Sequence, residues 1–227
     1  MSKIEKNLVF QVQIKPNGGR SEGKKKFHYA QELYDYSTQR ASAYAEKNGA
    51  EYFRLTTDEW LGSQYSPAYH KLYVYKLFEQ GYDKIMYLDS DSIITKICPN
   101  LFENDEFTAM MDYGYNTEAA AAKQTRFNER LGIPDEHIYF CSGTLLFDRK
   151  YYEATKDHWR AQLDVPQPQH DQSLFNVLVG NHYGKYTTIS NEWGHWGKKG
   201  KYIQHVTTAA GTKSFDEQKF LDWESKL

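Results

Sequence analysis

The stretch KIMYLDSDSIITKI, residues 84–97, decides how the chain is read. IMYL (85–88) is apolar and strand-like, and it runs straight into two aspartates, Asp89 and Asp91, separated by one serine. A further apolar pair, Ile93 and Ile94, follows. Uncompensated buried charge is costly, so either the strand surfaces here or something positive sits between the acids. Alternate residues of an extended segment share a side, which predicts that the two carboxylates converge. Like charges that close repel and raise one pKa unless a cation compensates.

Outward from this segment the chain alternates between strand and helix patterns. LVFQVQI (8–14) reads as a first strand, broken by Pro16, Asn17, Gly18 and Gly19. A helix is expected over about Tyr29–Asn48, stopped by Gly49, and a second strand over EYFRL (51–55). Ser66-Pro67 opens another helix, with Ser as N-cap and Tyr69, Leu72, Tyr73 and Leu77 on one face, closed by Gly81. Further strands are expected at 106–111, 138–147, 185–189 and 201–206, and helices at Lys123–Leu131, Arg149–Gln162, Gln172–Val179 and Phe215–Glu224. QLDVPQPQ (162–169) is a loop, and no repeat or linker interrupts the order. The early β-α-β-α-β run predicts an α/β fold, a single domain with a mainly parallel central sheet flanked by helices. Ligands of such sheets collect beyond the carboxyl ends of the strands, where Asp89 and Asp91 stand.

Composition excludes several classes of function. With 28 Lys+Arg against 30 Asp+Glu the net charge is −2, which argues against nucleic acid or an anionic membrane as partner. Two cysteines, Cys98 and Cys141, support neither a disulfide framework nor a zinc cluster and suit a reducing compartment. No apolar run approaches the ~20 residues of a membrane span, and MSKIEKNLVF lacks the apolar core of a signal peptide. The expectation is a soluble cytoplasmic protein. Aromatic residues make up 16% of the chain, 19 of them Tyr, whose apolar body and polar tip suit a core rim as well as a sugar or a base.

The residues alone leave three readings of the acid pair open. The carboxylates cap a turn and face solvent. Alternatively, they form a phosphatase site with the first Asp as nucleophile, though Ile93 stands where that D-x-D-x-T/V pattern wants Thr or Val. In the third reading they hold a divalent metal that neutralises a diphosphate, as oxygen ligands suit Mg²⁺ or Mn²⁺. A calcium loop of the EF-hand type is excluded, because its central Gly and final Glu are absent.

The unit SPAYHKLYVYKLFEQGYDKIMYLDSDSII resembles the donor-site segment of GT-A fold nucleotide-sugar glycosyltransferases, of the retaining glycogenin and bacterial galactosyltransferase type. In that family a helix carrying a basic residue precedes a strand ending in YLDxD. CSGTLLFDRKYY (141–152), HDQSLFNVLVGN (170–181) and a late histidine, His205, continue the likeness in the family's order. TQRASAYAEKNGAEYFRL (38–55) is similar to a segment of related galactosyl- and mannosyltransferases. Three departures stand out, the first being that Gly211 and Lys213 of HVTTAAGTK lie further from His205 than the family's spacing. Cys141 occupies a position where Asn is common, and the first strand shows no polar residue in a recognisable base-contacting place.

The resemblance implies a Rossmann-like GT-A domain, residues 1–97 mainly binding nucleotide and 98–227 mainly acceptor, with His205 returning to the metal site. It implies Asp89, Asp91 and His205 as ligands of Mn²⁺, with Mg²⁺ as the alternative. Lys71, Ser90, Gly143 and Lys213 would bind a nucleoside-diphosphate sugar donor, a UDP-sugar, and Asp171 and Gln172 would stand nearest the reacting carbon. Asp171 equally suits a helix cap. Trp193 and His195 in NEWGHWG would face a glycan or glycoprotein acceptor, or belong to a packed hairpin. Transfer with retention is the implied reaction, and a non-catalytic nucleotide-sugar-binding module is the alternative.

Overall fold

The structure, a computed structural model, describes residues 5–14, 31–112, 118–165, 170–193, 200–206 and 215–227. The expected break at 16–19 lies outside them, as do the Lys run 24–26, His195 and Lys213. The first strand, β1 (Asn7–Val12), lies parallel to β2 (Glu51–Leu55) on one side and to β3 (Lys84–Leu88) on the other. β3 then pairs antiparallel with β6 (Phe140–Asp148), which pairs antiparallel with β5 (Thr108–Met111), and β5 lies parallel to β7 (Thr187–Ile189). The sheet order is therefore β2-β1-β3-β6-β5-β7. It is mixed, because the later strand β6 inserts beside β3 at the point where the parallel run ends.

Period-two alternation sorts the sheet residues onto two buried faces. Leu8, Phe10, Ile85 and Tyr87 enter one core with Leu174, Phe175 and Leu178 of α5 (His170–Leu178) and with Val74, Tyr75, Leu77 and Phe78 of α2 (Val74–Glu79). Val9, Met86 and Leu88 enter the other with Ala41, Tyr44 and Ala45 of α1 (Gln31–Lys47). Gly49 (φ 64) and Gly81 (φ 92) follow α1 and α2 in the left-handed region that a helix C-terminus uses.

Three expectations are corrected in detail. The helix after Ser66 starts as a 3-10 turn, Pro67–Tyr73, and Ser66 makes no side-chain cap. The tighter winding turns His70, Lys71 and Leu72 inward together, where the expected α-helical face left Lys71 outside. The helix expected over Arg149–Gln162 stops at Thr155 (α4, Arg149–Thr155). There the Thr155 hydroxyl bonds back to the Tyr151 carbonyl at 2.7 Å while accepting from Tyr75, a pattern that disturbs a helix. Most consequential, the strand expected at 201–206 does not join the central sheet. A short strand missed in the sequence, β4 (Ser92–Ile94), pairs antiparallel with β8 (Ile203–His205) in a separate two-stranded ribbon, Ser92 opposite His205.

α3 (Glu118–Leu131) begins earlier than expected. The C-terminal helix, α6 (Glu217–Glu224), is capped by the Asp216 side chain, which accepts from Lys219 N. No helix among the described residues is long and apolar enough to cross a membrane.

Candidate active site

Asp89 and Asp91 meet by a turn rather than by strand alternation. The chain leaves β3 at Asp89, and Ser92 N donates to Asp89 O at 3.0 Å, folding the segment back into β4. Two further backbone bonds fix it: Asp89 N donates to Gly143 O, and Val206 N to Asp91 O, each at 2.8 Å. His205 Nε2 thereby stands 3.1 Å from Asp91 Oδ1 and 3.7 Å from Asp89 Oδ2. The three residues each present one ligand atom, all within 4.8 Å of one another. Gly143 closes the floor. A Cβ there would meet Asp89 Oδ2 at 3.0 Å and His205 Cε1 at 3.2 Å, so any side chain would press into the cluster.

Lys71 ties this cluster to a third carboxylate, that of Asp171. Its ammonium lies 2.9 Å from Asp89 Oδ1 and 2.7 Å from Asp171 Oδ2, with the Ser142 carbonyl and hydroxyl each at 3.2 Å. All three ammonium hydrogens thus have acceptors within the protein. Asp171 sits in the first turn of α5 and also accepts from Ser142 Oγ at 2.7 Å. The next residue, Gln172, is held at both ends of its amide: Nε2 donates to Asp112 Oδ2 at 3.1 Å and Oε1 accepts from Ser142 N at 3.3 Å.

Charge explains the protonation states. Burial alone raises the Asp89 carboxyl, but Lys71, His205 and hydrogen bonds from Lys71 and Tyr87 outweigh it and hold the group below its usual value. Burial disfavours the Lys71 ammonium, yet Asp171 and Asp89 hold it well above ordinary lysine. His205 is lowered by burial and raised more strongly by Asp91 and Asp89, ending above ordinary histidine. With the imidazole neutral, Asp89, Asp91 and Asp171 face one ammonium, leaving two uncompensated negative charges among these side chains. That surplus, with two carboxylates and an imidazole converging, fits a divalent cation.

The remaining expected residues are placed less centrally. Ser90 lies half-buried in the turn between the acids. Trp193, in a 3-10 turn (Asn191–Trp193), tilts against Tyr202 with ring centroids 5.2 Å apart. Cys141 is a free thiol, pushed by burial and Asp112 up to about 12, which keeps it protonated.

Four site residues escaped the sequence. Tyr87 Oη donates to Asp89 Oδ1 at 2.7 Å, and its place two residues before Asp89 was the signal. Gln11, fully buried on β1, donates to Ser37 Oγ at 2.9 Å and reaches Asp89 O at 3.4 Å, while accepting from Tyr52 Oη at 2.7 Å. Ser142, on β6, and Asp112, just past the end of β5, have roles that appear only once α5 is docked against β6.

The fold has known counterparts. The structure superposes on a glycosyltransferase involved in glycosylation of the major capsid of PBCV-1 with a TM-score of 0.58 and 9% identity, covering 98% of this chain and 100% of that one. It superposes on the galactosyltransferase LgtC, solved with donor and acceptor sugar analogs, with a TM-score of 0.52 and 13% identity, covering 97% and 96% of the two chains. A comparison with the curated proteins found no significant match. The architecture is that of the GT-A glycosyltransferases. The profile of glycosyl transferase family 8 matches residues 4–211, and the chain belongs to that family.

Proposed function

We propose that this glycosyltransferase moves a sugar from a nucleoside-diphosphate donor, a UDP-sugar, to a hydroxyl of a glycan or glycoprotein, with retention at the anomeric carbon. Asp89, Asp91 and His205 would hold a divalent metal, Mn²⁺ ahead of Mg²⁺ because one ligand is an imidazole. Such an ion supplies charge stabilisation for the departing diphosphate. The observation that carries this reading is the convergence of those three side chains, whose ligand atoms lie within 4.8 Å of one another.

The other residues take roles from their placement. Lys71 bridges Asp89 and Asp171 and holds them a fixed distance apart, so it acts on the donor through them. Asp171 and Gln172, rigidly bonded to Ser142 and Asp112, would flank the sugar. Gly143 leaves the room that a diphosphate and a metal require. Ser90 and Lys213 remain candidate donor contacts, and Trp193 and His195 candidate acceptor contacts. That LgtC was solved with donor and acceptor sugar analogs on the same fold supports looking for both substrates here.

Isothermal titration with UDP tests the reading. Binding should be much tighter with Mn²⁺ than with EDTA, and Asp91→Asn should abolish the difference while the far-UV spectrum stays native. Equal affinity in both buffers would remove these acids from metal duty.

A further inference from the structure

We propose that Tyr87 is a positioning residue for the metal: its phenol, together with Lys71, occupies one oxygen of Asp89 and turns the other toward Asp91 and His205. This rests on the proposed metal site and adds to it a residue that touches neither metal nor substrate. Tyr87 Oη lies 2.7 Å from Asp89 Oδ1, and Lys71 Nζ lies 2.9 Å from the same atom. The other oxygen, Oδ2, is the one that faces His205 Nε2, at 3.7 Å, and the open face of Gly143.

The two donors do different work. Lys71 orients Asp89 but also cancels one of the negative charges a cation would need. Tyr87 is a neutral donor, so it fixes the carboxylate without removing charge. Its ring is anchored elsewhere: it is buried, set edge-on to Phe10 with centroids 5.6 Å apart, and the Lys71 ammonium lies 4.9 Å from its centroid. Only the hydroxyl reaches the site. A carboxylate pinned at one oxygen by a rigid phenol presents the other in one direction. One held by the Lys71 ammonium alone would depend on a donor shared with Asp171 and Ser142. Partners behind a metal ligand commonly matter about 10–100-fold in affinity.

The test measures Mn²⁺ binding directly, in the presence of UDP, from the electron paramagnetic resonance signal of the free aqueous ion. Tyr87→Phe keeps the ring and should weaken Mn²⁺ binding about tenfold. Tyr151→Phe removes another buried hydroxyl, one paired with Tyr75 at 3.0 Å, and should leave Mn²⁺ binding unchanged whatever it does to melting in EDTA. Amino and fluoro analogues of phenylalanine, substituted at the ring para carbon of position 87, differ in their donor at similar size. Only the amino form should bind Mn²⁺ as wild type does, and this pair decides the matter if Tyr87→Phe does not fold. Wild-type affinity in Tyr87→Phe, or in the fluoro form, overturns the inference alone. Absence of Mn²⁺ binding by the wild-type protein overturns the metal reading and this inference with it.

Discussion

His205 is asked to hold two states. In the bare chain it leans on Asp91 at 3.1 Å, and the acids raise its proton affinity above that of ordinary histidine. As a metal ligand it must be neutral. The sign follows directly. Mn²⁺ affinity should be full above the raised histidine value and fall as pH drops through it, with the loss beginning above the ordinary value of ~6.5. Stability of the metal-free protein runs the other way. The contribution of protonated His205 is complete below the ordinary value and is lost as pH rises through the raised one. Mn²⁺ titrations at a series of pH values should show this profile in the wild type and lose it in His205→Ala; an unchanged profile in the variant would make His205 an ordinary ribbon residue. The acids and His205 were legible in the sequence because the order of the motifs marked them. Tyr87, Gln11, Ser142 and Asp112 were not, because each acts through a hydrogen bond to a distant segment and none stands in a pattern of its own.

Among the elements, the strands and helices that position the site were largely legible, since β1, β3 and β6 are largely apolar runs and β2 follows directly on the turn at Gly49. The ribbon was not. β8 lies within the strand expected at 201–206, but β4 has three residues, too short for any period to show, and their pairing is a long-range event. What secures the ribbon is α6. Glu224 accepts from Arg40 of α1 and, at 2.7 Å, from Lys96 N just past β4, while Arg40 Nε donates to Ile94 O at 2.8 Å. Phe220 and Trp223 cover Ile93 and Val206 on either ribbon strand's flank. Arg40 and Glu224 are both largely buried, so removing one partner strands the other's charge. Glu224→Ala should therefore cost about 3–5 kcal/mol in urea unfolding. A loss under ~1 kcal/mol, the scale of a surface pair, would show that the brace is not buried in solution.

At the scale of the whole molecule, the proposed site lies on a seam. Asp89 belongs to the end of the central sheet, whereas Asp91 and His205 belong to the ribbon, 114 residues apart in the chain. A ligand that binds only the assembled seam must stabilise the fold by mass action. With Mn²⁺ and UDP each present at about 100 times its dissociation constant, the gain should be about 5 kcal/mol, roughly 2.7 from each ligand, read as a raised melting midpoint that EDTA reverses. An unshifted midpoint under those conditions would mean that the seam binds neither. The ribbon's three paired positions are few beside the five each of the β1–β2 and β3–β6 ladders. Short ladders at the margin of a fold open before the core does. The catalytic lifetime of this protein would then be shorter than its structural lifetime. A preparation could keep its central sheet, its circular dichroism and its solubility, and still be inert because a two-stranded latch had come undone.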